Sequence, residues 1–205
     1  MNFILMIIPI PFVYFYNLLN KNFEKHQEKN IALNSTALFH ASSTVFISYL
    51  SIYHDLNVFF ILINSGGYFI FDFLYIIKNR KFDILRLMYL YHHISVYLYI
   101  MLPADIHYWP QLMLVSELSN LPNYLVYYSI KNDKKMQIKK SYQTKILLKI
   151  QLFVYFVLRI FFIGYYGIKE IYNKNVDTIK LPIYLVSVLY LFGVIWFIAM
   201  LKQNI

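Results

Sequence analysis

The sequence contains no cysteine, which excludes disulfides, thiolate metal sites and cysteine nucleophiles. Charge is also scarce. Only 14% of the residues are Asp, Glu, Lys or Arg, against about 25% in soluble domains. No segment stands apart as a soluble domain, and the longest polar stretch, 131–145, is too short and too charged to fold alone. The roughly 10-residue alternating segments of a membrane β-barrel are missing too. What the chain has instead is hydrophobicity, 60% of its residues, in long runs recurring from end to end. Such runs define an all-α fold, a polytopic bundle of membrane helices. The formal charge of +9 comes from lysines between those runs. Topology explains them, and no nucleic-acid partner is expected.

Seven spans can be read, at about 3–19, 33–53, 56–77, 84–102, 108–130, 146–168 and 181–201. The first is interrupted by Pro9 and Pro11. With no basic residue before it and no small-residue cleavage site after it, it reads as a retained span and not a signal peptide. Alternate loops then divide the basic residues fifteen to three, with Lys21, Lys25 and Lys29, Lys78 to Arg86, Lys131 to Lys149, and Lys202 on one side. By the positive-inside rule the N-terminus is lumenal or outside and the C-terminus cytosolic.

Polar residues inside the spans recur at helical spacing. Thr36, His40, Thr44 and Ser48 share one face of the second span, and Asn64, Tyr68, Asp72 and Tyr75 one face of the third. Glu117, Asn120 and Asn123 align on the fifth, and Gln151, Tyr155 and Arg159 on the sixth. Lipid satisfies none of these groups, so the faces must turn inward. The first span shows no comparable stripe. It is expected at the periphery, as a segment 1–32 separate from a six-helix domain, 33–205. At about 1.5 Å per residue, Asp72 and His92 lie roughly 9 Å from the cytosolic side, His40 and Asn123 about 10 Å, and Glu117 and Arg159 roughly 20 Å. Two layers are expected, with His40, Asp72, the histidines and Asn123 below and Glu117 with Arg159 above.

The pair His92–His93 lies near the middle of an apolar span, where an ionisable group is by default a functional hypothesis. A neutral imidazole there can act as a general base, or as a nucleophile through an acyl-imidazole. Asp72, at matching depth, can fix the tautomer of one ring. Adjacent helical residues point about 100° apart, so only one histidine faces Asp72 directly. The bland alternative is that both rings are structural donors between helices. Glu117 and Arg159 read as an ion pair, or Arg159 as a clamp for a lipid phosphate or carboxylate. Pro122 is expected to bend its span, with Asn120 and Asn123 satisfying the freed carbonyls. Tyr68 lies on a polar face and can line a pocket. The histidines are not at the i, i+4 spacing of helical metal ligands, so neither a metal nor a cofactor is expected.

The segments LFHASS (38–43), GYFIFDFLY (67–75), YHHISVYLY (91–99), SELSNLPNYL (116–125) and FVLRIFFIGYYG (156–167) together resemble the TLC domain. That is the membrane domain of ceramide synthases and of several groups of lipid-homeostasis proteins. The pieces occur in family order and span about 33–201. Ceramide synthases extend the double histidine into a second half with a His-Asp pair, a further Asp and a Glu. That half is absent here, so the resemblance is to the shorter TLC-domain proteins.

The resemblance implies lipid metabolism or homeostasis in the endoplasmic reticulum or a related membrane. Membrane lipids and an acyl-CoA are the implied partners. Catalytic roles would fall on His92, His93 and Asp72, and binding roles on His40, Tyr68, Glu117, Asn120, Asn123 and Arg159. Three functions follow: acyl transfer to a lipid amine or alcohol, non-enzymatic lipid binding, or proton-coupled transport. The last is least favoured, because no inverted repeat is present.

Overall fold

The computed structural model describes residues 9–79, 84–100, 109–173 and 180–204. Outside them fall the expected span residues 3–8, 101, 102 and 108, along with Arg80, Lys81, His107 and Lys174. The described chain is all-helical. Its elements are α1 (Ile10–Glu24), α2 (Lys29–Tyr53), α3 (Phe59–Asn79), α4 (Ile84–Ile100), α5 (Trp109–Lys135), α6 (Tyr142–Tyr155), a π-helical segment (Phe156–Phe162), α7 (Ile163–Asn173) and α8 (Lys180–Asn204). The run from α6 through the π segment into α7 is one rod, so seven rods make up the described fold.

Two rods are long and apolar enough to cross a membrane, Phe59–Asn79 and Tyr142–Lys169. Seven were expected. The difference has a physical source in the polar stripes, which dilute the hydropathy of α2 and α5 at the positions that face the interior. The described part of α4 is also only 17 residues long, below the roughly 20 that a span needs.

Packing follows a closed circuit. α2 lies along α5, α5 meets α6 and the π segment, and these meet α8. From there α8 packs on α4, α4 on α3, and α3 returns to α2. α1 packs against α2 and α3. Pro9 and Pro11 do not interrupt α1. They sit at its start, where the first-turn N–H groups lack helical partners and proline costs little. Nor is α1 without a polar stripe. Tyr16 and Asn20 are both buried, and with Glu24 they repeat at four-residue spacing.

The approach of α1 to α3 depends on Gly67. A Cβ built there would fall 2.3 Å from Phe12 Cβ and 3.1 Å from the Phe12 carbonyl carbon. Because backbone is part of the obstruction, rotamer changes cannot relieve it. Gly67→Ala is expected to push α1 off α3 and cost about 1–3 kcal/mol, the usual range for overpacking. Thermal unfolding in detergent measures this, and an unchanged midpoint would show that α1 is loosely held.

α5 continues through Pro122 as a single helix. The neighbouring amides do not serve the freed backbone. Asn120 donates to Glu117 and Asn123 to Asn120. At its far end α5 is tied to α6 by a locked turn. Asp133 Oδ2 accepts from the Ser141 N–H at 2.8 Å and from its hydroxyl at 3.1 Å. Ser141 in turn caps α6 by accepting from the Thr144 N–H at 3.2 Å. The Thr144 hydroxyl first, then the Ser141 backbone N–H, hold the Asp133 carboxyl below the usual carboxylate range. The polar stretch 131–145 is thus helix ends around a fixed corner.

Candidate functional site

Two polar systems among the described residues bear on the site. The first joins α1, α2 and α3. Tyr16 donates to Asn64 Oδ1 at 2.6 Å, and the Asn64 amide donates to Ser43 Oγ at 3.0 Å and Thr44 Oγ1 at 2.9 Å. Thr44 lies 3.1 Å from His40 Nε2 and 3.2 Å from Ser65 Oγ, and His40 Nε2 is 3.3 Å from Ser65 Oγ. His40 also stacks flat on Tyr68, ring centroids 4.0 Å apart. This is an interhelical network of the kind that binds helices where lipid offers no partner, and it leaves His40 Nδ1 buried without a hydrogen-bond partner. His40 and Tyr68 are built into it.

The second system is centred on the histidine pair. His93 is the member that faces Asp72, its Nδ1 3.3 Å from Oδ2. Phe69 and Tyr89 pack on its ring, with centroids at 5.3 and 6.1 Å. His92 turns the other way, edge-on to Trp196 at 5.1 Å and Phe192 at 6.0 Å on α8. It lines a cavity of about 40 Å³ together with Phe69, Ser116, Glu117, Arg159 and Leu189. Five of the six rods of the circuit contribute to that lining. His92 Nδ1 is buried there without a hydrogen-bond partner. On a scale where one water occupies roughly 10–15 Å³, the cavity holds about three.

Arg159 enters this cavity from the π segment, a helical form that recurs at functional sites. Its Nη1 donates to the Ser116 carbonyl at 3.1 Å. Its stem passes over Gly193, where a Cβ would approach Arg159 Cγ to 3.2 Å. Glu117 faces the same space, but it forms no direct ion pair with Arg159. Its Oε2 accepts from Asn120 Nδ2 at 3.2 Å. Behind Asn120, the amide groups continue: Asn123 Nδ2 lies 3.5 Å from Asn120 Oδ1, and Gln151 Nε2 donates to Asn123 Oδ1 at 3.0 Å. Every donor in this chain points toward Glu117.

The expected two-layer sorting is therefore redrawn. His92 groups with Glu117 and Arg159, across the expected boundary, and Asn123 belongs to the amide chain. The expected Glu117–Arg159 pair is two charges on one small cavity. Sequence reasoning passed over Tyr16 and Asn20, Ser65, Trp196 and Gly193. For α1 the signal was present in the 16–20–24 spacing. Among the described residues no group of three His, Asp or Glu is placed to hold a metal ion.

Fold and site together define a protein that is all-helical over its described residues, with two rods long and apolar enough to cross a membrane and ionisable groups in its interior. No protein-family model matches the chain, and no curated protein or solved structure matches it.

Proposed function

We propose that this is a multi-pass, TLC-like membrane protein of lipid metabolism or homeostasis. In this reading it resides in the endoplasmic reticulum or a related membrane, with its C-terminus cytosolic. Its reaction is acyl transfer from a thioester such as an acyl-CoA to a lipid amine or alcohol. The observation that carries the reading is the convergence of His92, Glu117 and Arg159 on one buried cavity beside an Asp72-oriented His93.

In that geometry neutral His92 removes the proton of the attacking amine or hydroxyl as the new C–N or C–O bond forms. The carbonyl oxygen gains charge beside the Arg159 guanidinium, a donor already in place. When the C–S bond breaks, the proton on His92 passes to the departing thiolate. Asp72 and His93 position the helix that carries His92. About 40 Å³ admits a reacting carbonyl and not a whole headgroup, so the acyl chain reaches the site between helices.

The same small volume favours a second reading, in which the polar core only holds a lipid group without turnover. Lipid profiling of cells expressing wild type, His92→Ala and the His92→Ala/His93→Ala double variant separates the two. Loss of a general base lowers product by about 10²–10⁴-fold, with the variant still folded in detergent. Unchanged profiles in both variants would remove the acyl-transfer reading. Binding that survives His92→Asn would then support the second.

A further inference from the structure

A larger opening than the histidine cavity lies at the α5–α6 corner. It is a bowl of about 520 Å³ lined by Lys139, Lys140, Tyr142, Lys145, Ile146 and Lys149, with Leu148 at its base. That falls within the roughly 300–1,000 Å³ of ligand sites, an order of magnitude above the buried cavity. We propose that this bowl binds the headgroup of a multiply phosphorylated anionic lipid in the leaflet it faces.

Four features support that ligand. First, the lining contains four ammonium groups and no carboxylate. Three of the four, Lys139, Lys145 and Lys149, are exposed, and the buried acid of the corner, Asp133, is committed to Ser141.

Second, the lysines stand on a fixed frame. Lys145 and Lys149 are one turn apart on the same face of α6. Lys139 and Lys140 come from a turn closed by Ile138 N–H to the Asp133 carbonyl at 2.9 Å and by Gln137 at φ +58°. A solvated tail would hold no such shape.

Third, the bowl opens at the start of the rod Tyr142–Lys169, one of the two able to cross a membrane, so it sits at headgroup level. Fourth, its lining includes exposed Tyr142 and Ile146, and exposed Met136 and Ile138 precede it in the adjoining turn. Apolar and aromatic groups interleaved with lysine suit the headgroup–acyl boundary. A free phosphate in solution would use the charges and leave these side chains in water. The proposal rests on this corner and on the rod crossing a membrane, and not on the chemistry of the histidine site.

The test uses the full chain in phosphatidylcholine nanodiscs, titrated with dioctanoyl phosphatidylinositol bisphosphate. Inositol hexakisphosphate and dioctanoyl phosphatidylserine serve as comparators. Saturable binding of the bisphosphate is expected, weakening with added salt. Each lysine near an anionic surface is worth a factor of about five. The variant K139Q/K145Q/K149Q should therefore bind about a hundredfold more weakly.

A control, K21Q/K25Q/K29Q, removes similar charge elsewhere and should bind as wild type does. An equal loss in the control would reduce the effect to net charge and overturn the site. So would the absence of saturable bisphosphate binding to the wild type. Tighter binding of inositol hexakisphosphate than of the lipid would overturn the membrane source. Because the side chains of Lys139, Lys145 and Lys149 are exposed, glutamine at these three positions should leave the melting profile intact. The salt dependence of the wild type stands as a test even if it does not.

Discussion

Glu117→Leu is expected to destabilise the protein by about 3–5 kcal/mol, the range for removing one member of a buried charge set. The guanidinium of Arg159 would remain in an apolar-walled cavity with the Ser116 carbonyl as its described acceptor. Arg159→Met should cost a similar amount for the mirror reason, because it leaves the Glu117 carboxyl facing the same space with only Asn120 as described donor. The informative measurement is the double variant Glu117→Leu/Arg159→Met. If the two groups sense each other through the cavity, the double change costs less than either single change. Unfolding in detergent on all four proteins completes the cycle. Strict additivity would show that the cavity, with room for about three waters, screens one charge from the other.

The second large effect is expected at Asn64. It makes four side-chain contacts to α1 and α2, with Tyr16, with Thr44 and twice with Ser43. Interhelical hydrogen bonds inside membranes average about 0.6 kcal/mol each. Asn64→Leu also leaves the Tyr16 hydroxyl buried without its acceptor, a penalty of about 1–3 kcal/mol. Together these give a loss of about 3–5 kcal/mol by the same unfolding measurement. In the Asn64→Leu background, Tyr16→Phe should be neutral or stabilising, whereas in wild type it should cost about 1 kcal/mol. If Tyr16→Phe costs the same in both, the hydroxyl draws nothing from Asn64.

The sequence was legible where spacing alone determines the outcome. Thr36, His40 and Thr44 fall on one face because four residues make just over a turn, and that face is the one the first network uses. The histidines were legible in a negative sense. Adjacent residues diverge by about 100°, so one had to face away from Asp72, and His93 is the one that stays. Depth arithmetic failed for His92, Glu117 and Arg159, because counting residues gives height along a helix and nothing about its rotation. The missing Glu117–Arg159 contact is hidden for a related reason. Whether two charges touch depends on how far the helices stand apart, and here Phe69, Ser116 and Leu189 hold that distance open around the cavity. α1 was misjudged because its apolar residues outnumber Tyr16, Asn20 and Glu24, and a three-member stripe is easily lost among them.

The π segment has one more consequence, for periodicity along the rod. Its hydrogen bonds close from residue i to i+5, so the seven residues Phe156–Phe162 wind more slowly than the helices on either side. Gln151 and Arg159 both reach α5, at Asn123 and at the Ser116 carbonyl, and the Arg159 stem also lies over Gly193 on α8. The rod therefore has two angular phases, one for α6 and one for α7, with a step between them. Substitutions scanned along it should show a period that holds to Tyr155, slips, and resumes at Ile163.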